Sequence, residues 1–148
     1  MQKLAFLIAG ALLFGGCAGA PPANLGVEDG HLAPCPDKPN CVNSQSPDEK
    51  HYVAPLSYEG TKQEALKRLR QIIQVMPRAE ITAEKTDYLR AEFTSRIMRF
   101  VDDVEFFFPD EPVVHVRSAA RVGYSDFGVN RKRIEAIRDR FRSGVCKP

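Results

Sequence analysis

Between Ala79 and Ala119 the apolar side chains recur at every second position in four successive runs: Ala79–Glu84, Tyr88–Thr94, Phe100–Phe108 and Val113–Ala119. A period of two belongs to strands, whose neighbouring side chains point to opposite faces. Leu89, Ala91 and Phe93 share one face, as do Val104, Phe106 and Phe108, and Val114 and Val116. Tyr88, Arg90, Glu92, Asp103, Glu105, His115 and Arg117 fall on the other. The connections Lys85–Asp87 and Pro109–Pro112 are too short for a crossover, so these strands are expected to pair as antiparallel hairpins. One face of the sheet should be apolar and the other charged.

An apolar sheet face needs a cover, and the flanking sequence supplies two helices. Thr61-Lys62-Gln63-Glu64 fits a capping box. Leu66, Leu69, Ile72, Ile73 and Met76 then recur at helical spacing until Pro77 stops the run. A second helix is predicted from Val129 to Arg142, with Ile134, Ile137 and Phe141 on one stripe and Gly144 beyond its end. The expected fold class is α+β, a four-stranded, mainly antiparallel sheet with two helices packed on one face. No internal repeat is present.

The amino-terminal residues follow a different logic. Lys3 precedes Leu4–Phe14, an unbroken apolar run that is about half of the roughly twenty residues a membrane-spanning helix requires. Residues 1–16 therefore read as a cleavable signal peptide. Leu13-Phe14-Gly15-Gly16-Cys17 resembles a bacterial lipobox, with two small residues directly before a cysteine. The rival small-x-small site, Ala18-Gly19-Ala20, would place Pro21 just after the cut, a poor arrangement for ordinary signal peptidase. The lipobox implies a diacylglyceryl thioether on Cys17 and an acylated amino terminus, making the membrane a partner. Each buried methylene contributes about 0.8 kcal/mol, so several chains anchor permanently. Ala18 rather than Asp after the cysteine favours the outer membrane, facing the periplasm, in a Gram-negative cell. Residues 17–33 are read as lipidated terminus and flexible tether, since Ala18–Pro34 is rich in Ala, Gly and Pro. Fully extended, that segment would reach roughly 50 Å. Residues 34–148 form one domain.

Export decides the cysteine chemistry. With Cys17 given to lipid, Cys35, Cys41 and Cys146 remain in an oxidising space. A Cys35–Cys41 disulfide with Cys146 free is the favoured pairing, and Cys41–Cys146 is the rival. His31, Cys35, Cys41 and His51 also cluster in sequence, but Cys35 and Cys41 lack the close pairing of structural zinc loops. Neither a metal nor a cofactor is expected. The 21 basic and 19 acidic residues nearly balance, which gives no support to nucleic acid as a partner.

Polar residues concentrate between the last strand and the last helix, Arg117–Arg131. Gly123 and Gly128 permit positive φ there, and Ser125 or Asp126 could cap helix amides. The candidate ligand-binding or structural cluster comprises Arg96, Asp102, Arg117, Arg121, Tyr124, Asp126, Asn130 and Arg131. Asp102 is in phase with Val104 and Phe106, so it should point inward and be paired by Arg96, Arg117 or Arg121. His115 is expected to be a solvated partner of Asp103 or Glu105. Asp102 and Asp103 face opposite sides of a strand, which argues against a catalytic carboxylate pair, and no catalytic residue is assigned.

Two segments together resemble a known family. Cys35-Pro36-Asp37-Lys38-Pro39-Asn40-Cys41-Val42-Asn43-Ser44 and the Arg117–Arg131 stretch are similar to the bacterial DUF1499 family, a domain of unknown function. Ala91–Arg96 and Phe100–Glu105 resemble its middle motifs, and the likeness extends from about Pro34 to Arg140. The resemblance implies one domain in an exported or membrane-attached setting and no particular reaction. The functional expectation is a non-enzymatic envelope lipoprotein that binds a small anionic ligand or an envelope protein. The alternatives are an enzyme of unrecognised type acting on an anionic envelope substrate, and a purely structural envelope component.

Overall fold

A computed structural model of the chain describes residues 18–144. Residues 1–16, read above as a signal peptide, lie outside the described residues, as do Cys17 and Cys146.

Ten elements follow in order: β1 (Val27–Glu28), β2 (His31–Leu32), β3 (Cys41–Asn43), β4 (Leu56–Ser57), α1 (Lys62–Gln74), β5 (Ala79–Glu84), β6 (Tyr88–Thr94), β7 (Val101–Phe107), β8 (Val113–Ala120) and α2 (Val129–Ser143). The architecture is α+β. Strands β5 to β8 form successive antiparallel neighbours, as the short connections require. The sheet is larger than four strands, however. Its order is β3-β8-β7-β6-β5, with β4 pairing the opening residues of β8, and β1-β2 form a separate ladder. The short strands escape sequence reading because two or three residues cannot display a period. Backbone pairing reveals them instead: β3 lies along Arg117–Ala119 and β4 along Val113–Val114.

Helix α1 begins at the capping box. The Glu64 amide donates to Thr61 Oγ1, while the Thr61 amide donates to Glu64 Oε2 at 2.9 Å, which satisfies two otherwise free donors. Its buried face is Ala65, Leu66, Leu69, Ile72 and Ile73. Helix α2 ends at Gly144 in the left-handed region, φ 66°, where a β-carbon would be strained. Ile134, Ile137 and Phe141 from α2 join the α1 residues over Leu89, Ala91, Phe93, Val104, Phe106, Val114 and Val116. At about 25 cal/mol per Å² of apolar surface removed from water, this continuous layer is the main stabilising contribution.

The opposite sheet face is charged, as the alternation requires, yet it is not open to water: Asp103 and Glu105 are both 0% exposed. Leu32 packs with Tyr88, Phe107 and Ala83 on that face, and the Gly26 amide donates to Glu105 Oε1 at 2.7 Å. At Gly19 a β-carbon would stand 3.0 Å from Val122 Cγ1 and 3.1 Å from Arg121 Cβ. The segment that reads as a tether is thus laid along the sheet from Gly19 to Leu32.

Candidate functional site

Cross-strand register organises the charged face into rows. Arg90 pairs opposite Glu105, which pairs opposite Arg117, so an anion sits between two cations. Arg117 Nη1 donates to Glu105 Oε2 at 3.0 Å, and the Tyr88 hydroxyl donates to Glu105 Oε1 at 2.8 Å. Burial and the neighbouring Glu105 charge push the Tyr88 phenol far above its ordinary value. One row along, Glu92 and Asp103 oppose each other, an arrangement that repels unless a cation intervenes. Arg121 is that cation. Its Nε and Nη2 donate to Asp103 Oδ2 and Oδ1 at 2.7 and 2.8 Å, and Nη2 lies 2.5 Å from Glu92. The hydrogen bonds to Asp103, with Glu92 beside them, hold the guanidinium firmly charged.

Asp102 points to the helix side, as its phase predicts, but its partner is none of Arg96, Arg117 and Arg121. Arg133, one turn into α2, donates from Nη2 to Asp102 Oδ2 at 2.6 Å and lies over the Phe93 ring, 4.7 Å from its centroid. Arg117 and Arg121 serve the other face, and Arg96 is exposed on the β6–β7 turn. Asn130, fully buried, accepts from Ser118 Oγ and Arg133 Nη1 and donates to the Asn40 carbonyl at 3.1 Å. It joins β8, α2 and the disulfide loop.

At the corner itself, Asp126 caps α2. Its Oδ1 accepts from the Gly128 amide at 2.9 Å and its Oδ2 from the Asn130 amide at 2.7 Å. Gly128 turns the chain into the helix at φ 77°, a conformation glycine adopts without a steric penalty. Arg131 reaches back to donate to the carbonyls of Tyr52 and Lys50 at 2.6 and 2.8 Å. Tyr124 is 69% exposed. The Cys35–Cys41 disulfide closes the neighbouring loop, with α-carbons 5.7 Å apart.

Between that loop, the 48–51 turn and the corner lies a cleft of about 220 Å³, lined in part by Lys38, Lys50, His51, Tyr124, Asp126 and Arg131. His51 has both ring nitrogens engaged, Nδ1 with Asp48 Oδ2 at 2.7 Å and Nε2 with the Lys38 carbonyl at 3.0 Å. His115 is not a partner of Asp103 or Glu105: its Nδ1 lies 3.1 Å from Ser44 Oγ, and its ring stacks on Phe107. Burial lowers its pKa from the usual histidine value. Among the described residues no group of three His, Cys, Asp or Glu side chains is arranged to hold a metal ion.

The sequence-derived cluster is therefore distributed. Arg117 and Arg121 lock the charged face, Asp102 and Asn130 the helix side, and Tyr124, Asp126 and Arg131 border the cleft. Arg96 joins none of these groups. Glu92, Glu105, Tyr88 and Arg133 complete the buried pairs. Alternation had placed Glu92, Glu105 and Tyr88 on their face, while Arg133 gave no signal because its contact spans 31 positions of sequence.

With that geometry in place, a family model described as "Protein of unknown function (DUF1499)" matches residues 31–141. The chain belongs to this family. No curated protein matches it. The DUF1499 match starts within the β1-β2 ladder and ends in the last turn of α2. It includes the disulfide loop, all four long strands and every residue of the cleft.

Proposed function

We propose that this DUF1499 protein is an exported lipoprotein, anchored through Cys17, whose domain is a non-enzymatic binding module at the cell envelope. The anchor is supported by the Leu4–Phe14 run and Gly15-Gly16-Cys17. The non-enzymatic reading rests on one observation: the buried ionisable groups on the two faces of the sheet are consumed by one another. Asp103 is held by Arg121, Glu105 by Arg117 and Tyr88, and Asp102 by Arg133. A general base or nucleophile needs a lone pair or proton directed at a substrate, and these groups direct theirs at each other. Asp126 and His51, at the cleft, are committed likewise.

What the cleft offers a partner is Lys38 and Lys50, with Arg131 held against the Tyr52 and Lys50 carbonyls and Asp37 and Asp126 on the same lining, a mixed set suited to a small anionic or polar group. Cell fractionation tests the anchor: the protein should partition with membranes and a Cys17→Ser variant should not. Lys38→Ala and Lys50→Ala variants test the module, since both residues are exposed and their loss should leave the melting temperature unchanged while removing a cellular phenotype. Wild-type protein in the soluble fraction, or turnover of an envelope substrate abolished by those variants, contradicts the proposal.

A further inference from the structure

The two loops at one end of the sheet carry bare apolar side chains. Thr94 pairs with Val101, Asp102 pairs with Ala120, and the Arg121 amide donates to the Val101 carbonyl at 3.1 Å. The β6–β7 turn and the β8–α2 corner therefore leave the sheet side by side. Ile97 is 84% exposed, Met98 61% and Phe127 88%, and Tyr124 stands beside them in sequence order on the corner. Single exposed apolar residues are ordinary, whereas a group at one pole marks an interaction surface. Arg99 and Phe127 both adopt positive φ, 57° and 54°, which bulky L-residues rarely do. Each loop is thus held in an unfavourable backbone conformation at the position where it projects.

Charge follows the same polarity. Arg78, Arg96 and Arg99 are exposed at this end. At the opposite end the turns carry exposed Asp87, Asp110 and Glu111, with Lys85 beside Asp87 and Lys62 paired to Asp110. Basic residues around projecting apolar ones are the composition that suits an anionic lipid interface, where acyl contact and headgroup attraction add.

The course of the amino-terminal segment decides the occupant. Gly19 lies against Val122 and Arg121, at the root of the corner. Cys17 stands two positions earlier, a reach of at most about 7 Å. An acyl chain on Cys17 would therefore bring a bilayer to this end of the domain and to no other. We propose that the pole formed by the 95–100 turn and the 121–128 corner rests on an anionic phospholipid surface, with Ile97, Met98 and Phe127 entering the headgroup layer. The inference depends on the lipid anchor at Cys17 and adds an orientation to it: the docked segment holds the domain against the membrane rather than at the end of a long tether.

The chain contains no tryptophan, so a single introduced indole reports its own surroundings. Full-length Ile97→Trp, Phe127→Trp and Glu111→Trp variants are purified as mature protein and reconstituted into phosphatidylethanolamine–phosphatidylglycerol vesicles containing brominated lipid. All three sites are exposed, and unchanged melting confirms that each variant folds. The indoles at 97 and 127 should be quenched about two-fold or more, as expected within the interfacial layer, and the indole at 111 should not. Intact mass on the same samples reports the acyl chains independently. If the chains are present and 97 and 127 are quenched no more than 111, the orientation is overturned, and a protein rather than lipid covers this pole. If the chains are absent, the anchor itself fails and the proposal falls with it.

Discussion

Arg121 grips Asp103 with two parallel hydrogen bonds, 2.7 and 2.8 Å, across a carboxylate that has no contact with water. The bidentate geometry is the strongest form such a pair takes. It joins the end of β8 to the middle strand and, through Glu92, to β6. Phase alone, by sending Asp102 inward, ranks its loss as far more harmful to the fold than that of Asp103. The structure removes that ranking, because Asp103 is the more deeply buried of the two.

Breaking a buried pair from one side leaves the other charge stranded, at a cost of about 3–5 kcal/mol. Arg121→Ala should lower unfolding stability by that order, and Asp103→Ala should cost at least as much as Asp102→Ala. Denaturant unfolding of the three variants checks both statements. Melting of Arg121→Ala at the wild-type temperature would show that the charged face is dispensable.

Asp102 gives a pH signature. Burial, the largest influence, raises its carboxyl above the ordinary value of 3.8, while Arg133 pulls it down. The folded protein then binds this proton more tightly than the unfolded chain. Its contribution is fully present below pH 3.8 and is lost as pH rises through the raised folded value. Stability measured against pH should accordingly decline less steeply across that window in Asp102→Asn than in wild type. Identical slopes would contradict the assignment.

Tyr88 supplies the alkaline counterpart. Its phenol is raised by burial and by Glu105, so its contribution to stability is intact below the ordinary tyrosine value of 10.0 and is lost as pH climbs above it. An ultraviolet difference titration should show one phenol ionising only as the protein unfolds. Tyr88→Phe should remove that component; its survival in the variant would assign it elsewhere.

The Cys35–Cys41 bridge closes a span of six positions, and a loop that short contributes about 2 kcal/mol in the chain-entropy view. Reduction should lower stability by this order while leaving the central sheet paired, since β5 to β8 hold one another without the loop. Hydrogen exchange with and without reductant reads both effects. Loss of protection in β6 and β7 would show that the bridge supports more than its own corner.

The elements with many repeats of their pattern were the legible ones. Both helices, their caps at Thr61 and Gly144, and β5 to β8 follow from periodicity and from short connections. The strands β3 and β4 do not, because what defines them is the unpaired edge of β8 rather than anything within Cys41–Asn43 or Leu56–Ser57. The same holds for the site. Alternation puts Asp103 and Glu105 on the face away from the helices, but it cannot say that Leu32 and Gly26 roof that face. Phase sends Asp102 to the helix side but does not name Arg133 as its partner, since a helix stripe identifies faces without matching them to positions on a strand. The disulfide was legible because the close spacing of Cys35 and Cys41 leaves few choices.

Anchoring through Cys17 is the claim on which the functional reading turns. Mass spectrometry of the amino-terminal peptide of the mature protein tests it most directly. The expected peptide begins at Cys17 and carries a diacylglyceryl thioether with an acylated α-amino group. An unmodified terminus at Pro21 would contradict it.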